Sequence, residues 1–259
     1  MATSRWKLLV TPPASGAENM ALDEALMARA RETEEWTLRV YGWSTPTVSL
    51  GRNQTARGRY DLPRIRARGM DVVRRPTGGR AILHHREITY SVTAPTDAAG
   101  DLGTSYRRIN RLLVAALQSL GVGATVATPA KRAIAPGMTP CFDEPAAGEL
   151  VVDGRKLAGS AQWRIDGALL QHGSILVEDD QSTLAELAVG EQPPIPAPAT
   201  LSEALGWSPT LIDVAAALRD AVRGLEDPGV SDLTLDDSLR ARTRELIVRY
   251  VDDSWTWRR

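Results

Sequence analysis

The chain has 259 residues, a formal net charge of −1, one cysteine, three histidines and 43% hydrophobic residues. One cysteine excludes an intramolecular disulfide framework and any cysteine-cluster metal site. The near-zero charge argues against a dedicated nucleic-acid binder, and no apolar run reaches the roughly 18–20 residues of a membrane span. Met1–Val10 carries no signal-type apolar stretch ahead of Pro12 and Pro13, so a soluble cytoplasmic protein is expected. At about 150 residues per domain, this length suits one or two domains with a sizeable core. Of the 31 basic residues only Lys7, Lys131 and Lys156 are lysines. Genome composition accounts for most of that bias, but a retained lysine supplies a compact ammonium that arginine does not.

Trp6–Val10 reads as a first strand. Asn19–Met27 has helical spacing, with Asn19 in the place of an N-cap. Leu38–Tyr41, Thr47–Gly51, Val72–Arg75, Ala81–His84 and Ile88–Thr93 read as strands, the third halted by Pro76-Thr77-Gly78-Gly79. Tyr106–Leu120 puts apolar residues on one helical face, closed by Gly121. Glu149–Val152 and Arg155–Gln162 flank Asp153-Gly154, a strong hairpin signal. Trp163–Ile165 and Ala168–Leu170 repeat the pattern around Asp166-Gly167, and Gly173–Val177 continues the sheet. The Pro/Ala-rich 192–200 stretch reads as a connector, and Leu211–Leu225 and Leu239–Tyr250 as helices. The expected fold is α+β, with mixed or antiparallel sheets flanked by helices. Residues 1–191 are expected to form the catalytic domain, with 192–259 a connector and helical extension packed on it.

Five segments carry candidate chemistry. Arg74-Arg75-Pro76-Thr77-Gly78-Gly79-Arg80 follows a strand, and its glycines would let backbone N–H groups approach an anionic or carbonyl ligand; an ordinary Gly-Gly turn reads equally well. It fits neither a Walker A loop nor a dinucleotide fingerprint. His84-His85 has only His172 as a further histidine and no metalloprotease spacing, so no metal site is expected and a hydrogen-bonding role is the default. Cys141 lies in Pro140-Cys141-Phe142-Asp143, within a Pro-rich loop. It reads either as a small buried hydrophobe or as a thiol activated by a nearby cation. Lys156, in a strand beside Gly159-Ser160-Ala161, is either solvated or a donor to a carbonyl oxygen. Gln171-His172-Gly173 is either a turn or a buried histidine that orients a nucleophile.

Together these segments are far more specific than any one. Arg74–His84, Lys156–Gln162 and Gln171–Leu176 resemble the biotin/lipoate protein ligase superfamily on its lipoate side, as do Asn19–Ala25 and Pro46–Gly51. Cys141-Phe142-Asp143 followed by Glu149–Lys156 is similar to the cysteine-dependent octanoyltransferases of the LipM type. ATP-dependent lipoate ligases share the Arg-Arg-x-x-Gly-Gly and Lys-x-x-Gly-Ser-Ala elements but use no cysteine here.

The resemblance implies a route. Cys141 would accept octanoyl from octanoyl-acyl carrier protein as a thioester and pass it to a lysine of a lipoyl domain, either glycine cleavage H protein or an E2 subunit. No ATP or other cofactor is implied. Lys156 would hold the acyl carbonyl. Arg75, Thr77, Gly78, Gly79 and His84 would line the acyl slot with Gly159, Ser160 and Ala161, and His172 and Gly173 would form its wall. A monomer that binds neither nucleic acid nor membrane is implied. The alternatives are an amidotransferase moving octanoyl from H protein to another lipoyl domain, an ATP-dependent lipoate ligase, and a non-catalytic module of the same fold with an unreactive Cys141.

Overall fold

The computed structural model of the protein describes residues 5–127, 148–190 and 196–259. In chain order the elements are β1 (Trp6–Val10), α1 (Gly16–Thr33), β2 (Trp36–Tyr41), β3 (Thr47–Leu50), α2 (Leu62–Ala67), β4 (Asp71–Arg74), β5 (Ile82–His84), β6 (Glu87–Pro95), α3 (Thr96–Ala99) and α4 (Leu102–Ser119). There follow β7 (Thr125–Val126), β8 (Leu150–Val152), β9 (Arg155–Ile165), β10 (Ala168–Leu176), α5 (Thr183–Leu187), α6 (Leu201–Leu205), α7 (Leu211–Leu225), β11 (Ser231–Asp232), α8 (Asp237–Tyr250) and α9 (Asp253–Thr256).

The main sheet runs β11-β1-β2-β6-β10-β9-β8-β7, and a smaller one runs β4-β3-β5. β1 pairs with β2 in parallel, whereas β6, β10, β9 and β8 pair antiparallel in succession. The expected α+β class with mixed sheets is therefore what forms. One face of the main sheet carries Trp6, Trp36, Val40, Tyr90, Val92, Leu169 and Ile175 into a core shared with Ile109, Leu113 and Leu117 of α4 and Val214, Leu218 and Val222 of α7. Burying each large aliphatic side chain there contributes about 1.5–3 kcal/mol. On the other face α1 packs Leu22, Ala25 and Leu26 against Leu9 and against Leu239 of α8. The small sheet has its own core of Val48, Leu50, Ile65, Leu83, Leu184 and Leu187.

Local chemistry explains the boundaries. α4 starts four residues ahead of Tyr106 because the Asp101 side chain accepts from Thr104 N, and Gly121 follows its end at φ +99°. The turns at Asp153-Gly154 and Asp166-Gly167 put both residues at positive φ (49° and 75°; 48° and 79°). That is the twist a two-residue hairpin requires. β9 is one continuous strand rather than the two shorter ones expected.

The N-cap of α1 is Ser15, in a capping box with Glu18, not Asn19. Asn19 sits a turn further in and buried, where its Nδ2 donates to Ala14 O at 3.2 Å and Gly42 O at 3.0 Å. Ser-x-x-Glu satisfies two orphan donors reciprocally, which a lone asparagine cannot do.

The expected boundary at 191 and 192 falls outside the described residues. Beyond it, α7 shares the main core, β11 pairs with β1, and α8 and α9 pack on α1 and β4. No helix among the described residues is long and apolar enough to cross a membrane.

Candidate active site

The loop after β4 is shaped by two buried arginines. The Arg75 guanidinium donates to Ser49 O at 2.8 Å, to Gly78 O at 2.8 Å and to Arg80 O at 2.7 Å. It thus gathers the loop carbonyls inward. Because N–H and C=O of a trans amide point in opposite directions, the Gly79 N–H is turned away from Arg75. Gly79 adopts φ +97°, and a Cβ on it would lie 2.7 Å from Arg75 Nη2. A Cβ on Gly51 would lie 2.0 Å from Gly79 O, so glycine at 51 is required for the two backbones to meet.

Arg74 points elsewhere. It donates to Gly51 O at 2.6 Å, Gln54 O at 2.8 Å and Thr256 O at 2.8 Å. Burial, together with the nearby charges of Arg258, Arg259 and Arg75, lowers its pKa to about 10. Both arginines therefore brace the backbone.

Thr77 and His172 join this loop to the main sheet. Thr77 Oγ1 lies 2.7 Å from His172 Nε2, and His172 Nδ1 lies 3.1 Å from Asp23 Oδ2. A carboxylate only accepts, so Nδ1 carries the proton and Nε2 accepts from the Thr77 hydroxyl when the ring is neutral. Asp23 is fully buried on α1 and also accepts from Tyr41 Oη at 2.9 Å, Ser91 Oγ at 2.8 Å and Arg39 Nη1 at 2.8 Å. Burial pushes its pKa up, but the bond from His172 and the Arg39 charge outweigh it, so the carboxyl titrates below its usual range. The same burial and hydrogen bond push the Tyr41 phenol far up.

His84 stacks on Trp43, with ring centroids 3.9 Å apart, and places Nδ1 3.2 Å from Glu87 Oε1. Glu87 is buried and also accepts from Thr89 Oγ1 at 2.7 Å and Ser174 Oγ at 2.6 Å. Burial lowers the His84 pKa despite the pull of Glu87, so the ring is neutral at neutral pH. The neighbouring His85 is exposed and pairs with Asp180 at 2.8 Å.

On β9, Lys156 is buried and donates from Nζ to Glu149 Oε1 at 2.6 Å. Ser160 lies opposite Gly173 and Ala161 opposite His172. A Cβ on Gly173 would come within 2.6 Å of Gly159 O and 2.7 Å of both Ser160 Oγ and Tyr90 Cε1, so only glycine fits there. Ser160 Oγ is 2.6 Å from Tyr90 Oη, and Tyr90 Oη accepts from Gln171 Nε2 at 2.9 Å. Burial pushes the Tyr90 phenol up to about 12, against those two bonds. Tyr90 therefore stays protonated and can donate to Ser160.

Cys141, the expected nucleophile, lies outside the described residues. Among the rest, the structure brings Thr77 to His172, sets Ala161 beside His172, and sets Ser160 beside Gly173. His84 belongs to a neighbouring network with Glu87. Asp23, Glu87 and Tyr90 were not singled out from the sequence. Asp23 was visible only as a carboxylate among apolar helical neighbours, and nothing local marked Glu87 or Tyr90. Among the described residues no cluster of His, Cys, Asp and Glu is arranged to hold a metal.

Residues 15–223 match the family model described as lipoyl protein ligase A/B catalytic domain. The chain belongs to this family. It is 39% identical to octanoyltransferase LipM of Kyrpidia tusciae, over 98% of this chain and 99% of that one. It is 41% identical to octanoyltransferase LipM of Symbiobacterium thermophilum, over 99% of each. The fold is shared with a crystal structure of lipoate-protein ligase A bound with ATP (TM-score 0.79, 22% identity, 98% of each chain). It is also shared with a bipartite lipoate protein ligase from Thermoplasma acidophilum (TM-score 0.78, 22% identity, 98% of this chain and 96% of that one).

Proposed function

We propose that the protein is an octanoyltransferase of lipoate biosynthesis working through a cysteine thioester. The geometry that carries the reading is Lys156: a buried ammonium held at 2.6 Å by Glu149, on the strand that also bears Gly159–Ala161. Fixed in this way, it is a preorganised donor for a carbonyl oxygen that gains negative charge. The full-length similarity to LipM octanoyltransferases supports the same reading.

The donor is octanoyl-acyl carrier protein. The Cys141 thiolate attacks the thioester carbonyl, the bond to the carrier sulfur breaks, and the carrier leaves as a thiolate that takes up a proton. The neutral ε-amine of a lipoyl-domain lysine, on H protein or an E2 subunit, then attacks the octanoyl-Cys141 thioester. The carbon–sulfur bond breaks, the amine loses a proton and an amide remains. Exchange of thioester for thioester is nearly balanced and thioester to amide runs downhill, so ATP is not needed. Splitting the transfer in two is the usual gain of covalent catalysis. The Arg75-braced loop and the Thr77–His172 contact set one wall of the acyl slot. Residues 192–259 complete this fold rather than forming an accessory unit, and an acyl-carrier donor places the reaction in the cytoplasm.

Incubating the protein with octanoyl-acyl carrier protein without ATP, followed by intact mass measurement, tests the reading. A gain of one octanoyl group, absent in Cys141→Ser, is expected. Absence of acylation, with lipoylation appearing only when ATP and lipoate are supplied, overturns it.

A further inference from the structure

Charge is distributed very unevenly along this chain. Between Gly51 and Arg80 there are nine arginines and two aspartates, in a protein whose net charge is −1. The segment forms the small-sheet side of the molecule. It adjoins the candidate site directly, because Arg52 N donates to Thr77 O at 2.7 Å. The chain's last residues reinforce it. Arg258 Nη2 donates to Arg52 O at 2.6 Å, and Arg259 O accepts from Ala56 N and Arg57 N, both at 3.0 Å.

Elsewhere, several surface arginines are neutralised in place. Arg86 pairs with Glu178, Arg155 with Glu203, and Arg242 with Glu32. On the small-sheet side Arg68 pairs with Glu186 and Arg64 lies 3.6 Å from Asp61. Arg57, Arg59, Arg66 and Arg259 are exposed, and none of them has an acidic partner among the described residues. Arg52 and Arg258 lie close by, stacked on indoles: Arg52 is 4.7 Å from the Trp163 centroid and Arg258 is 3.9 Å from that of Trp255. Clustered like charges repel one another and add nothing to the fold. A patch of this kind attracts and orients an anionic partner.

We infer that this arginine face is the docking surface for the acidic acyl-carrier donor. The assignment rests on the transferase reading above. The two partners differ in charge where they meet the site. The acceptor presents a lysine, which a cationic rim repels. An acyl carrier delivers its thioester on an arm attached through a phosphodiester, so it brings negative charge to the rim.

Binding of the holo form of the acyl carrier protein, followed by fluorescence anisotropy at low salt, reads the surface without requiring turnover. Arg59→Glu with Arg66→Glu is expected to weaken binding about tenfold and to remove most of its salt dependence. The same charge change on α8, Arg240→Glu with Arg244→Glu, is expected to leave it within about twofold. In steady state the first double variant raises KM for octanoyl-acyl carrier protein and leaves the rate with octanoyl-N-acetylcysteamine, an uncharged small donor, unchanged. Unaltered carrier affinity in that variant overturns the inference, as does a loss of lipoyl-domain binding in its place. Should the wild-type protein bind the carrier through this face yet form no octanoyl-enzyme, the transferase reading fails and the docking surface stands.

Discussion

The loop bearing Thr77, Gly78 and Gly79 is held from two sides, and the two anchors solve the burial of a guanidinium differently. On the α1 side, Arg39 is fully buried with its countercharge. It donates to Asp23 Oδ1 at 2.8 Å, Asn19 Oδ1 at 2.7 Å and Thr11 Oγ1 at 3.1 Å, and lies 3.8 Å over the Tyr41 ring. On the C-terminal side, Arg74 is equally buried but reaches only backbone carbonyls, and its Nη2 has no partner among the described residues. The first anchor is charge-balanced and closed. The second keeps a buried cation beside other arginines, and burial first, then those like charges, bring its pKa down to about 10. Removing a partner therefore has opposite electrostatic consequences at the two anchors.

The largest expected effect is at Asp23. Asp23→Ala leaves the Arg39 cation buried without its carboxylate and unpairs His172, Tyr41 and Ser91. Breaking a buried pair on one side costs about 3–5 kcal/mol. Urea unfolding should register a loss in that range, or the variant should fail to accumulate as folded protein. A loss under about 1 kcal/mol would mean that the α1 anchor is not electrostatic at all.

The next effect is at Arg74. Arg74→Met removes a cation that has no countercharge, so it relieves desolvation while leaving four carbonyls, those of Gly51, Arg52, Gln54 and Thr256, without their donor. Unsatisfied groups of this kind cost about 1–3 kcal/mol each when fully buried. With the relief of the charge, a net loss of about 2 kcal/mol is expected, smaller than for Asp23→Ala although the hydrogen bonds lost are as many. An equal or larger loss would put the two anchors in the same class. The same urea titration decides.

The two anchors also differ in how far they could be read from the sequence. Alternation marked the strands around both, the Asp-Gly turns marked the hairpins of β8, β9 and β10, and the scarcity of lysine drew attention to Lys156. Arg74 and Arg75 were legible as adjacent arginines before two glycines, but their inward aim was not. It depends on the Gly51–Gly79 backbone contact and on Thr256, which is 182 positions away from Arg74. Asp23 on α1 finds its partners on β2, β6 and β10, Glu87 reaches Ser174 across to β10, and Glu149 meets Lys156 beside the register shift at Leu150 and Val151. α2, α5 and α6 span only five or six residues each, too few to show an apolar period.

A smaller effect separates tie from anchor. Thr77→Val keeps the shape of the side chain but removes the hydroxyl that meets His172, while Thr77→Ser keeps the hydroxyl. The valine variant should lose about 1 kcal/mol of stability. If the contact positions the loop, KM for the octanoyl donor should also rise several-fold, and serine should restore most of it. Equal KM values for valine and wild type would confine the contact to stability.

The smallest effect is a slope with pH, and its sign follows from two lowered pKa values. Asp23 titrates below its ordinary range in the folded chain, so its contribution is present above the unfolded carboxylate pKa of about 3.9 and is lost as pH falls through the lower folded value. His84 is also lowered, by burial. An unfolded histidine takes up its proton near pH 6.5 while the folded one resists, so stability begins to fall below about pH 6.5 and continues to fall down to the folded pKa. The acid limb should therefore have two windows, the milder belonging to the Trp43–His84–Glu87 network and the more acidic to the α1 anchor. His84→Asn should flatten stability in the window that opens below about pH 6.5 without touching the more acidic window, which Asp23→Asn should flatten instead. The readout is the slope of unfolding free energy with pH, because both variants also lose packing that is independent of pH. A histidine variant that keeps the wild-type slope in its own window would show that His84 is protonated in the fold, with Glu87 prevailing over burial.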